Sequence, residues 1–137
     1  MDRTATARRL YELLSAHDID GFGALLADDF VEHEELPTGG APDREGVKAF
    51  FGAQLAGFPD MAMVADDVID GGDKIVVRGR FTGTNTGEFM GMPPTGRSVD
   101  VPLIDILAVG DDGLVHEHWG VFDAASLMQQ LGVGPPA

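Results

Sequence analysis

The chain contains no cysteine, which excludes disulfides and thiolate metal sites together. No apolar run approaches the roughly 20 residues that a membrane span requires. Basic residues are scarce: 9 Lys and Arg face 23 Asp and Glu, for a net charge of −14, and Lys48 and Lys74 are the only lysines. Nucleic-acid binding needs a basic stripe to meet phosphates, so that class of partner is excluded. The same acidity repels polyanionic ligands at long range. Aromatic residues are few, with a single Trp and a single Tyr. A neutral or apolar small molecule is the partner left standing.

What is present fits one compact unit. At 137 residues and 44% hydrophobic, the chain can bury a core of its own as a single domain over 1–137. Proline and glycine fall at turn positions, and no internal repeat is visible. The first nine residues, Met-Asp-Arg-Thr-Ala-Thr-Ala-Arg-Arg, are charged and lack the apolar centre of a signal peptide, so a cytoplasmic protein is expected.

Periodicity predicts helices first and strands later. An apolar stripe of Ala7, Leu10, Tyr11, Leu13 and Leu14 predicts a helix over 4–16. A second is expected over 19–28 behind Asp18 as N-cap, although Gly21 and Gly23 weaken it. A short strand, Phe30–Glu34, carries His33, and a loop over 36–40 leads to a third helix over 43–56. Strands are expected over 61–70, 74–83 and 98–109. The connection over 84–97 is long for a small domain, and its Phe89, Met90 and Met92 suit either a flap over a pocket or a plug at the core edge. A last helix is expected over 124–130. Segregated helices and strands imply α+β, with a curled antiparallel sheet and three N-terminal helices enclosing a pocket.

One stretch concentrates proton-transfer chemistry beside apolar surface: Gly113-Leu-Val-His-Glu-His-Trp-Gly-Val-Phe-Asp123. Strict alternation along a strand puts Val115, Glu117 and Trp119 on one face and His116 and His118 on the other. His116 and His118 at i, i+2 resemble a pair of metal ligands, but no spacing supplies a third, so no metal is expected.

The segment Gly87-Glu88-Phe89-Met90-Gly91-Met92-Pro93-Pro94-Thr95-Gly96-Arg97 resembles a loop of the SnoaL-like polyketide cyclases, within the nuclear transport factor 2-like superfamily. So do Ile104-Asp105-Ile106-Leu107, Glu117-His118-Trp119, Asp123, the closing Gln130-Leu131-Gly132, and the early stretch from Ala27 to His33. This resemblance implies a cone-like pocket and ring closure on a polyketide by intramolecular aldol condensation, with no cofactor. It implies that Asp123 is the acid/base and that Asp105 helps bind the carbonyl. It also implies a homo-oligomer, dimer or tetramer, paired through the outer face of the sheet.

Each candidate has a plainer reading beside the functional one. Asp105 lies among apolar residues and needs a partner, for which Arg78 on the neighbouring strand is available. Asp123 stands where a helix N-cap belongs. An unperturbed imidazole titrates near neutrality, so His118 suits proton transfer, though a satisfied histidine on a sheet is the plainer reading. His33, Trp119, Phe30, Tyr11, Phe89, Met92 and Arg78 are the expected pocket residues, though core packing also accounts for the aromatics. The Arg-x-Asp of limonene epoxide hydrolase-like enzymes is missing, since Leu103 precedes Asp105 by two. A ketosteroid isomerase-like site, with Asp105 as a neutral donor, and a binding protein without turnover stay open.

Overall fold

Every helix of the described chain opens on an aspartate, which accounts for part of the acidity. The computed structural model describes residues 2–37 and 39–133. Asp2, Asp18, Asp43 and Asp123 cap α1 (Arg3–Ser15), α2 (Ile19–Ala24), α3 (Arg44–Gly57) and α4 (Ala124–Leu131), each accepting a hydrogen bond from a backbone N–H of the first turn. Such caps satisfy donors that the helix itself leaves free, for about 1 kcal/mol each.

Five strands follow the expected α+β plan: β1 (Leu26–Glu32), β2 (Ala62–Asp70), β3 (Lys74–Thr84), β4 (Ser98–Val109) and β5 (Val115–Phe122). They form one open sheet in the order β1-β5-β4-β3-β2. The four long strands pair antiparallel, but β1 runs parallel to β5, with Leu26 opposite Val115 and Glu32 opposite His118. The sheet is therefore mixed and not wholly antiparallel. The second helix is shorter than expected and β1 longer, because residues 26–28 are drawn into this parallel pairing. The strand stops at Glu32, so His33 falls just past its end. The expected loop over 36–40 includes residue 38, which lies outside the described residues.

Helices cover one face of the sheet. Leu10, Tyr11 and Leu14 of α1 join Ile75, Val77, Phe81, Val101 and Leu103 in the buried core. The long connection between β3 and β4 is stapled shut by Asn85, which is 2% exposed. Its Nδ2 donates to the carbonyls of Gly57 (3.1 Å) and Gly87 (2.9 Å), and its Oδ1 accepts from Thr95 N (2.8 Å) and Oγ1 (3.0 Å). Phe89 is held against Phe58, their rings 5.2 Å apart and edge to face. Of the two roles open to this connection, Phe89 takes that of a core plug.

The strict alternation expected of β5 fails at one point. Ala108 pairs with Glu117, yet Val109 pairs with Val115, so His116 is an extra residue with no counterpart on β4. The bulge shifts the parity. Val115 and His118 both line the interior, while His116 turns outward to Asp29 and Asp112. His116 and His118 thus do not share a face, and they cannot be joint ligands.

Candidate active site

Asp105 on β4 lies between two donors from opposite ends of the chain. The Tyr11 hydroxyl of α1 donates to its Oδ2, and His118 of β5 bonds its Oδ1 through Nε2 at 2.7 Å. The other ring nitrogen, Nδ1, meets both oxygens of Glu32 at 2.6 and 2.7 Å. The side chains of Glu32, His118 and Asp105 are 3%, 15% and 16% exposed. Arg78, the expected partner of Asp105, is excluded by register. Val77 stands opposite Asp105, so Arg78 points from the other face of the sheet and is exposed.

Two glycines make this cluster possible. Gly120 is opposite Asp105 on β5, where a Cβ would come within 2.8 Å of His118 Cε1 and 2.9 Å of Asp105 Oδ1. On β3, a Cβ at Gly79 would meet Tyr11 Cε2 at 3.0 Å and Val64 O at 2.7 Å. Both gaps in the sheet are filled by side chains of the cluster.

The electrostatics follow from burial and contact. Burial opposes a charged His118, but hydrogen bonds to Asp105 and Glu32 overrule it and push its pKa up to about 10. Burial raises the Tyr11 phenol well beyond its ordinary range, reinforced by the Asp105 charge, so the hydroxyl stays a donor. Burial also raises the Glu34 carboxyl, and although the charge of His118 opposes this, Asp105 and Glu32 push the same way. The cluster is thus an imidazolium held between two carboxylates, with a neutral phenol beside them.

These groups form the polar end of a cavity of about 230 Å³ between helices and sheet. Phe22, Phe30, Phe51, Phe81, Leu103 and Leu107 supply apolar wall. A deep apolar cavity with a few convergent polar groups suits a largely apolar ligand bearing one reactive polar group.

Comparison with known proteins now decides the family. The SnoaL-like polyketide cyclase model matches residues 4–131. The chain belongs to that family. It is similar to IdmH, a candidate polyketide cyclase from Streptomyces antibioticus, at 34% identity over 97% of this chain and 100% of that one, with a TM-score of 0.85. AclR, a candidate hydroxylase from Streptomyces galilaeus, is 28% identical over 98% of both chains with a TM-score of 0.86. TsrD from Streptomyces laurentii is 29% identical over 97% of this chain and 98% of that one, with a TM-score of 0.82. No curated protein matches the chain significantly in sequence.

Within this SnoaL-like pocket, four of the residues singled out in the sequence come together: Tyr11, Phe30, Asp105 and His118. Others lie elsewhere. Asp123 is exposed and caps α4, its Oδ1 accepting from Ser126 N at 3.0 Å, and it is not among the residues lining the cavity. His33 stacks on Trp119 with centroids 4.7 Å apart and bonds Glu117 at 3.0 Å. Lys74 lies 5.9 Å from the same indole. These groups occupy the sheet's outer face. Phe89 and Met92 pack at the core edge and do not line the cavity.

Four polar lining residues escaped the sequence reading: Glu32, Glu34, Glu35 and Gln54. Glu32 was readable in principle, because it shares a strand face with Phe30. Glu34 sits on a loop, where no periodicity speaks. Glu32, Glu34 and His118 also bring potential ligand atoms within 4.8 Å of one another. A metal there would have to displace Glu32 or Asp105 from the imidazole, since both its nitrogens are engaged.

Proposed function

We propose that the protein is a cofactor-independent enzyme that closes a ring on an apolar, carbonyl-rich molecule of polyketide type, with Asp105 as acid/base. The observation that carries this reading is Asp105 itself, set between Tyr11 and His118 at the polar end of an apolar cavity. The likeness to IdmH, a candidate polyketide cyclase, supports the substrate class.

In this mechanism Asp105 takes a proton from the carbon α to a ligand carbonyl. Negative charge leaves the carboxylate and develops on the enolate oxygen. Tyr11 O–H and His118 Nε2–H, until then directed at Asp105, are free to turn to that oxygen. Donors preset where charge develops are the main source of stabilisation in such chemistry. Glu32 holds the imidazolium in place through Nδ1. The enolate carbon then attacks a second carbonyl of the same molecule, held close by the cavity walls. That carbonyl's π pair moves onto its oxygen, which takes the proton back from Asp105. Glu34, raised by burial and lining the same cavity, is the nearby carboxyl suited to relay protons. Asp123 keeps its cap and takes no part.

The test is α-proton exchange of a β-diketone in heavy water, followed by NMR, together with turnover of a poly-β-ketone. Asp105→Asn should lose on the order of 10²-fold or more in both, whereas Asp123→Asn should match the wild type. Normal exchange by Asp105→Asn would end this assignment. If the wild type neither exchanges nor cyclises any candidate, yet apolar ligands raise its melting temperature, the protein is a binding module with the same pocket.

A further inference from the structure

Gln54 is a polar lining residue that the cluster around His118 does not employ. It stands in the last turn of α3, 4% exposed, on the helical side of the cavity. Its Oε1 is the one buried side-chain polar atom without a hydrogen-bond partner among the described residues. The other buried polar residues are fully engaged, Glu32 by His118 and Asn85 by its four loop contacts. Val47, Phe50 and Phe51, which line the cavity from the same helix, have no polar group to offer it. A buried acceptor left unpaired costs stability that an apolar residue of the same shape would not. A ligand donor would remove that cost.

We propose that Gln54 is a second recognition point in the pocket, taking a neutral hydroxyl of the ligand distinct from the reacting carbonyl. A hydroxyl both donates and accepts, so it complements the amide whichever way its end is turned. A carboxylate is excluded by charge, since Glu32, Glu34 and Asp105 already face the same cavity. The preferred ligand is then an apolar ring system or chain with a carbonyl for Asp105 and a separate hydroxyl for Gln54. This rests on reading the cavity as the ligand pocket, and it does not require turnover.

The experiment compares naphthol with the isomeric naphthalenediols by titration calorimetry at neutral pH, on the wild type, Gln54→Met and Gln54→Leu. In the wild type at least one diol should bind about tenfold tighter than naphthol, the worth of one added hydrogen bond. Both variants should lose that preference, hold naphthol within about twofold, and melt no lower than the wild type. The proposal is overturned if no diol is preferred, if the preference survives in Gln54→Met, if no phenol binds, or if both variants melt several degrees lower. Failure of Asp105→Asn to impair exchange would strike the mechanism alone and leave Gln54 untouched.

Discussion

Gly120 faces Asp105 across the β4–β5 pairing, and the side chain it lacks is the space through which His118 reaches that carboxylate. Gly120→Ala should therefore act on the site and not only on the fold. Overpacking of this kind costs about 1–3 kcal/mol, and here relief requires His118 or Asp105 to move. The expected result is a modest drop in melting temperature, a larger fractional loss of α-proton exchange, and an NMR titration of His118 shifted back toward its ordinary value. An unchanged titration would show that the contact tolerates the methyl group.

Stability should depend on pH through His118. The folded protein holds this proton up to about pH 10, whereas an unperturbed histidine titrates near 6.5. Its contribution is thus complete below about pH 6.5 and declines as the pH rises toward 10. Exposed His116, also raised by Asp112, contributes in the same direction. Melting curves from pH 6 to 10 should fall steadily, with the His118 Cε1 proton titrating near the alkaline end by NMR. A midpoint near 6.5 would contradict the clamped imidazolium.

Asp123 and Asn85 should behave as structural residues. Asp123→Ala removes a cap and should cost about 1 kcal/mol with exchange activity unchanged. Asn85→Ala deletes four hydrogen bonds at a buried position and should cost about 2–4 kcal/mol. Because Asn85 does not line the cavity, apolar ligands should bind the folded variant as they bind the wild type. Denaturant melts and ligand titrations separate the two effects.

Self-association should use the outer sheet face. Ile69, Val76, Ile106 and Trp119 stand in register across four strands, with Ile104 and Val121 adjacent to them at 43% and 73% exposed. Light scattering should report at least twice the 14.5 kDa of one chain, and Ile104→Arg with Val121→Arg should return it to a monomer. A monomeric wild type at micromolar concentration would remove this expectation.

The helices and long strands were legible because their signals are local: aspartate caps, apolar stripes and alternation. Asp18 and Asp123 were readable as caps from sequence alone. The bulge at His116 was not, since one inserted residue leaves the composition of β5 unchanged while reversing which side chains face inward. Register was equally silent. Nothing in the sequence says that Val77 and not Arg78 stands opposite Asp105, so the Asp105–Arg78 pair was a fair guess with the wrong geometry. Of the residues singled out in the sequence, Tyr11, Phe30, Asp105 and His118 line the cavity. Glu34 and Gln54 matter through burial, which only the packed helices create.

The bond from Tyr11 to Asp105 joins residues 94 positions apart, and that from His118 to Glu32 spans 86. The second cannot form until β5, the last strand of the chain to be made, has docked between β1 and β4. Contacts of such long range carry a high loop-closure cost and form slowly. A ribosome-bound chain ending before Val115 would hold Tyr11, Glu32 and Asp105 with no imidazole to join them. The reactive centre is thus a late product of folding, and the high His118 titration is a spectroscopic mark of a finished molecule.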